Sequence, residues 1–367
     1  IDNAANASLS SNLTVQDTLL LTQGDVNIGD LKLTIQGNTL GNGGYISTNA
    51  NAGTIEYSGT SAQTIRRIKD NTANSLLVTN TSPEGATIIG TDNSFGDLNT
   101  FNQVNVVSGS RLNVAPGEKL TVNNDLTNNG SFVLQSNAQG TATLLTAGTV
   151  STNAGIYKVQ QYLTGSNNST APNGRFWYMS SPVTGATSAT FNPETGLNKL
   201  WSWNEPTHSY LQITDNVTPL ISGKGYVARM GNTGTVEFSS NTINNGDITV
   251  NGLSWTGLTH LNRGYNLIGN PYPSYLNWKD IWVDPNTDEL RESGLPNRMR
   301  ATIWVRSENS TLYTYNAVAG TYATTNPQKG EITESNIQRI APMQAFWVET
   351  YDPEMTDGSI TFTNSMR

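Results

Sequence analysis

Cysteine is absent from this chain of 367 residues, which removes disulfides, thiolate metal sites and a cysteine nucleophile together. Charge is scarce: 13% of residues are Asp, Glu, Lys or Arg, and 20 basic residues leave a net charge of −8. Nucleic acid needs a basic footprint, so neither DNA nor RNA is an expected partner. Histidine occurs only twice, at His208 and His260. No apolar run approaches the roughly 20 residues of a membrane span, and no Ala/Leu/Glu/Lys-rich run marks a long helix. Tryptophan is missing before Trp177, and all eight lie at or after it. The chain starts at Ile1 rather than Met, as a processed mature form or a trimmed chain would, so the lack of a signal peptide excludes nothing.

What is present is Asn, Thr, Ser and Gly, with 35% hydrophobic residues. Thr favours strands, and Asn and Gly accept turn geometry, so the chain reads as all-β. The polar run from Thr164 to Thr170 marks a loop near the point where the composition changes. Before it, short alternating runs follow one another: Leu13-Thr14-Val15, Leu19 to Leu21, Leu31 to Ile35, then Leu112-Asn113-Val114, Leu120-Thr121-Val122 and Phe132-Val133-Leu134. Period-two alternation between turn residues means half-buried strands. VNIGDLKLTI (26–35) and LNVAPGEKLTV (112–122) also match each other. Strands this short with such regular turns predict a parallel β-solenoid-like region over 1–160, with an irregular antiparallel sandwich as the alternative.

The remainder contains a duplication. RFWYMSSPVTGATSATF (175–191) corresponds to GYNLIGNPYPSYLNW (264–278), and KLWSWNEPTHSYLQI (199–213) to ATIWVRSENSTLYTYNA (301–317). PLISGKGYVARM (219–230) corresponds to RIAPMQAFWVET (339–350), and GTVEFSS (234–240) to GSITFTNS (358–365). Four blocks in the same order predict two antiparallel β-sandwich repeats, 161–256 and 257–367, able to pack as one unit. The insertion from Asp284 to Arg300 holds the short helices of the chain, such as Thr287 to Ser293.

The blocks LTVNNDLTNNGSFVLQSNAQGTATLL, VQQYLTGSN, GRFWYMSSPVTGATSATF, GYNLIGNPYPSYLNW, PMQAFWVE and ITFTNSMR resemble cell-surface proteins of Bacteroidetes. These are large β-rich proteins exported by the type IX secretion system, and the resemblance covers roughly residues 118 to 367. It implies an extracellular or cell-surface location but no particular reaction, since the group is defined by export and display. In such proteins a sorting domain usually follows the FTNSMR-like strand; this chain stops at Arg367, so that domain is expected to be cleaved or to lie beyond it.

No catalytic constellation is visible. His208 lies in the hairpin-like NEPTHSY and His260 before a turn; both read as surface loop residues, and neither accompanies a serine on a sharp elbow. Glu237 and Glu349 sit in aromatic strands, where alternation makes each a solvent-facing position rather than half of a carboxylate pair. The run Gly41-Asn42-Gly43-Gly44 leads into a strand pattern rather than a helix, so it predicts a hairpin and not a phosphate loop. No cofactor is expected apart from a structural Ca²⁺, for which Asp284, Asn286 and Asp288 form one acidic loop and Asp352 and Asp357 another. The first lacks the glycine and terminal acid of an EF-hand.

Aromatics are the remaining candidates. Trp201 and Trp203 are two apart and share a sheet face, where tryptophans can stack on sugar rings; Tyr272 and Tyr275 are two further ligand candidates. The duplicated positions argue rather for a core role, since aromatics supply most of the buried area of a small sandwich. Asp17-Thr18-Leu19 resembles the O-glycosylation signal of exported Bacteroidetes proteins, which makes Thr18 a candidate acceptor. The expected function is therefore non-enzymatic: a surface fibre or stalk subunit or adhesin segment. It would self-associate head to tail through exposed strand edges, with a carbohydrate-binding adhesion module as the alternative. Surface glycans are the other expected partner. For GYNLIGNPYPSYLNW itself, a structural corner is expected, with a cis Tyr272–Pro273 bond and Ser274 capping a turn that carries Trp278 inward.

Overall fold

The computed structural model describes the chain apart from residues 3, 67, 70–72, 91–98, 152–153, 166–175, 196, 257–262, 283–298, 307–311, 318–320, 325–338 and 352–357. Strand accounts for 53% and helix for 4%, so the protein is all-β. Its contacts divide it into two units: Ile1–Tyr162 with Ser239–Ile243, and Leu163–Phe238 with Asn244–Arg367.

The first unit is a parallel β-solenoid of about six turns. One sheet stacks Leu13–Val15, Lys32–Ile35, Thr54–Tyr57, Ala73–Val78, Asn99–Val106, Lys119–Asn128 and Thr143–Thr146 in chain order. A second sheet stacks Gln63–Ile65, Ala86–Ile88, Arg111–Val114, Ser131–Leu134 and Ile156–Leu163. Register sets like on like: Leu13, Leu33, Ile55, Leu76, Val104 and Leu126 form one ladder. From Leu33 onward each rung of that ladder is buried. The matched segments 26–35 and 112–122 are equivalent only in their second parts. Lys32–Ile35 and Lys119–Asn128 share the long sheet, whereas Val26–Asn27 and Arg111–Val114 stand in different ones.

The abundant amides serve the corners between rungs, where backbone groups leave the ladders and need other partners. Gln63 donates to the carbonyls of Ile35 (2.9 Å) and Gly37 (2.5 Å) and accepts from Gly59 N and Asn80 Nδ2. Asn113 donates to Glu84 O and Asn128 to Ile156 O. The Gly41–Gly44 run is also a corner, not the hairpin expected. Its flanking strands Thr39–Gly41 and Ile46–Ser47 pair in parallel with the preceding rung. A Cβ at Gly41 or Gly43 would lie 1.9 or 2.0 Å from the carbonyl oxygens of Leu21 or Thr22, so only glycine lets the rungs stack.

The second unit holds two antiparallel sheets of the same strand order. In the first, Phe176–Met179, Tyr226–Arg229, Lys199–Asn204 and Ser209–Ile213 are successive neighbours. In the other, Tyr265–Gly269, Ala345–Thr350, Met299–Arg306 and Leu312–Asn316 repeat that order, with Thr321–Thr324 added outside. Registers agree pair by pair. Tyr178 faces Val227 as Leu267 faces Trp347; Trp201 faces Val227 as Trp304 faces Trp347; Trp203 faces Tyr210 as Arg306 faces Leu312.

The two sheets also exchange equivalent bonds. Met179 bridges to Gln344 and Ile268 to Lys224; Ser180 N donates to Met343 O, and Gly269 N to Gly223 O, each at 2.8 Å. Gly223 (φ 79°) and Met343 (φ 61°) both take the left-handed conformation that such an exchange requires. Reciprocal contacts between equivalent positions define an approximate twofold axis, as in an isologous dimer.

The GYNLIGNPYPSYLNW run is a structural corner. Asn270, fully buried, donates to the carbonyls of Ser274, Ile340 and Ala341 and accepts from Tyr272 N. Trp278 is buried and donates to Ala301 O. Two details differ from expectation. The Tyr272–Pro273 bond is trans, the form that X–Pro bonds usually take. The turn carrying Trp278 spans Trp278–Trp282 and is capped by Asn277, whose Oδ1 accepts from Lys279 N, while Ser274 Oγ accepts from Arg367 Nε.

Candidate functional site: an aromatic cleft

Alternation along the first sheet of the second unit places Phe176 and Tyr178 on one face, with Trp201 and Val227 beside them across the ladder. Together with Tyr210 and Arg306 they line an open cleft of about 270 Å³. The Phe176 and Trp201 rings lie 5.8 Å apart, centre to centre. The Arg306 guanidinium stands 5.7 Å from the Phe176 centroid and 5.6 Å from that of Tyr178, within cation–π range. Tyr210 is 47% exposed at the rim. Burial first, then the neighbouring Tyr178, push its phenol well above the ordinary range, against a smaller opposing pull from Arg306. The Tyr210 hydroxyl is therefore neutral at physiological pH, able to donate and to accept. Trp201 Nε1 makes no hydrogen bond among the described residues. By contrast, Trp177, Trp203 and Trp278 donate to the carbonyls of Thr164, Tyr265 and Ala301. The cleft thus presents apolar ring faces with several polar groups around them, the composition of a small-ligand site.

Next to it, Trp203 is partly buried and packed against other rings. Its ring lies 5.2 Å from Trp347 and 5.0 Å from Tyr210. A second cleft, about 450 Å³, is lined in part by Trp203, Asn204, Lys224, Asn251 and Ile268. Burial holds the Lys224 ammonium below its ordinary range. At its wall sits Glu205, 3% exposed, which accepts from Gly264 N (2.8 Å), Thr256 N (2.9 Å), Ser254 Oγ (2.9 Å) and Thr256 Oγ1 (2.7 Å). Burial pushes this carboxyl up, but the four donors outweigh it and hold the group below the usual carboxylate range. Glu205 therefore ties both ends of the connection that precedes Tyr265–Gly269, at Ser254 and Thr256 and at Gly264, to the hairpin that carries it. His208, expected as a surface loop residue, is instead largely enclosed. Its side chain is 11% exposed with Nε2 3.8 Å from Glu205 Oε1, and its backbone is left-handed (φ 48°).

Of the residues singled out in the sequence, the structure brings Trp201 into the aromatic cleft and Trp203 to the wall of the other. Tyr272 enters neither: it is fully buried, and its hydroxyl donates to Gly246 O (2.6 Å) and Phe362 O (2.9 Å) beneath the Arg367 guanidinium. Tyr275 is 54% exposed, outside both clefts. Glu349 pairs with Arg300 at 2.9 Å. Thr18 is exposed. Asp284, Asn286, Asp288, Asp352, Asp357, His260 and the expected helix at Thr287 to Ser293 lie outside the described residues. Among the described residues, no cluster of three or more His or acidic side chains is placed to hold a metal ion, and no helix is long and apolar enough to cross a membrane.

Phe176, Tyr178, Tyr210 and Arg306 are not singled out by the sequence, where the Trp201–Trp203 spacing and the tyrosines of GYNLIGNPYPSYLNW stand out instead. The signal that could have found Arg306 is its alignment with Trp203 in the duplication.

Residues 68–367 match the domain of unknown function DUF8693, and the chain belongs to that family. No curated protein and no solved structure matches it.

Proposed function

We propose that this protein is a non-enzymatic extracellular adhesion protein that binds carbohydrate in the aromatic cleft at Trp201. The observation that carries this reading is the cleft itself. Four ring-bearing side chains from three strands converge on one open site with a guanidinium at its side. Ring faces take the C–H faces of a sugar, while hydroxyl, indole N–H and guanidinium groups take its oxygens. Surface display and export by the type IX route belong to the same proposal and rest on the sequence resemblance, and the solenoid then serves as a spacer. Exposed Thr18 fits an acceptor for O-glycosylation, which intact-mass measurement of protein from its native host would detect. A glycan array probed with the protein and with Trp201→Ala tests the central reading. Binding to at least one saccharide that falls about tenfold or more in the variant, some 1.4 kcal/mol, is expected. A folded protein that binds no saccharide rejects it.

A second reading, self-association, is favoured by one observation in the solenoid. Leu13–Val15 pairs only with Lys32–Ile35 among the described strands, and Leu13 on that edge strand is 42% exposed. An unpaired edge with apolar side chains is a template for another strand. The oligomeric state in solution tests it.

A further inference from the structure

Around the cleft, equivalent positions of the duplicated sheets do not carry equivalent side chains. Trp347 stands where the first sheet has Val227, and Trp203 where the second has Arg306. Trp347 reaches across to Tyr178 (6.1 Å), Trp203 (5.2 Å) and Tyr210 (6.5 Å) and fills its side of the twofold axis. Val227 has no ring to reach back with, so its side stays open, and the opening is bordered by Arg306. The same exchange that removes an indole from a duplicated core position therefore sets a cation beside the space. That cation is held in place, with its guanidinium over two rings and half-buried.

A guanidinium fixed in this way matches a carboxylate with two parallel N–H···O bonds. In a partly desolvated site its attraction exceeds that of a surface arginine. The net charge of −8 does not oppose this at contact, since at physiological ionic strength charges more than about 8 Å away are largely screened.

We infer that the cleft selects saccharides that carry a carboxylate, with Arg306 taking the carboxylate and Val227 leaving the room for the ring. The inference rests on the reading of the cleft as a saccharide site and adds the charge of the ligand and the two residues that set it.

The test uses an array of matched pairs, each uronate oligosaccharide beside its methyl ester and each sialylated glycan beside its asialo form. The whole chain, Arg306→Gln and Val227→Trp are each assayed. The wild type is expected to favour the acidic member of a pair about tenfold or more. Arg306→Gln, checked by its melting to be folded as the wild type is, is expected to lose that preference and to bind both members of a pair alike, more weakly than the wild type binds the neutral one. Val227→Trp, filled as the other half is by Trp347, is expected to lose both. Equal wild-type binding to both members, or a preference that survives in Arg306→Gln, overturns the inference and leaves the saccharide reading standing. A Val227→Trp protein that melts with the wild type and still binds overturns the role of Val227. Absence of all saccharide binding by the folded wild type overturns the inference together with the reading beneath it.

Discussion

Glu205 shows how one side chain decides whether a loop-rich sandwich holds together. A buried carboxylate is costly unless its oxygens are satisfied, and here four donors from the two ends of one connection satisfy it. Hydrogen bonds to a charged group contribute about 1.5–3 kcal/mol each, and donors left unpaired add their own penalty. Glu205→Ala is therefore expected to destabilise the protein by about 3 kcal/mol or more in urea unfolding. The pH dependence follows from the sign of the shift. Because the folded-state pKa is depressed, the stabilisation is full above the ordinary glutamate value of about 4.3 and is lost as pH falls through the folded value. Glu56 contributes in the same direction. Its burial is outweighed by hydrogen bonds from Lys32, Thr79 and Thr34. Chemical denaturation from pH 7 to pH 3 should show a steep loss in the wild type and a flatter, lower curve in Glu205→Gln. Parallel curves would remove Glu205 from the account. Tyr272→Phe separates structure from site: loss of the bonds to Gly246 O and Phe362 O should cost about 1–2 kcal/mol while saccharide affinity is unchanged.

Among the elements, strands were legible in the sequence and their partners were less so. Leu33 and Ile35 announce a half-buried strand by alternation alone. Pairing direction is not encoded in that alternation, which is why Gly41–Gly44 read as a hairpin. Only the stacked rung, whose carbonyls exclude a Cβ there, makes it a corner between parallel strands. The enclosure of His208 is hidden for a related reason: its partner Glu205 is three residues away, but the groups that hold Glu205, at Thr256 and Gly264, are 51 and 59 residues from it. Tyr272 looked like a ligand group because its neighbours are polar and cyclic, yet the carbonyls that take its hydroxyl are 26 and 90 residues away. The Leu13–Val15 edge bears on assembly. Self-association through this strand predicts concentration-dependent growth in light scattering, suppressed by Leu13→Lys, since a charge on an edge strand opposes pairing. Protein that remains monomeric at high concentration contradicts it.

For the whole molecule, the duplication is the organising fact of the second unit. Matched strand order, matched register and reciprocal bonds at Ser180 and Gly269 make its two sheets equivalent in backbone. Their side chains then diverge at Val227 and Trp347, and at Trp203 and Arg306. The four blocks were visible in the sequence because aromatic and proline positions survived in both copies. The cleft was not, because it depends on which copy lacks an indole at one position across an axis that only the fold defines. The claim that Trp201 lines a saccharide site is tested most directly by titrating indole-¹⁵N-labelled protein with a saccharide mixture and following the eight tryptophan Nε1–H signals. The account predicts that the signal assigned to Trp201 by Trp201→Phe shifts with ligand. The signals of Trp177, Trp203 and Trp278, whose N–H groups are bonded to carbonyls, should move little. A titration in which Trp201 stays fixed, whether or not other signals move, would contradict it.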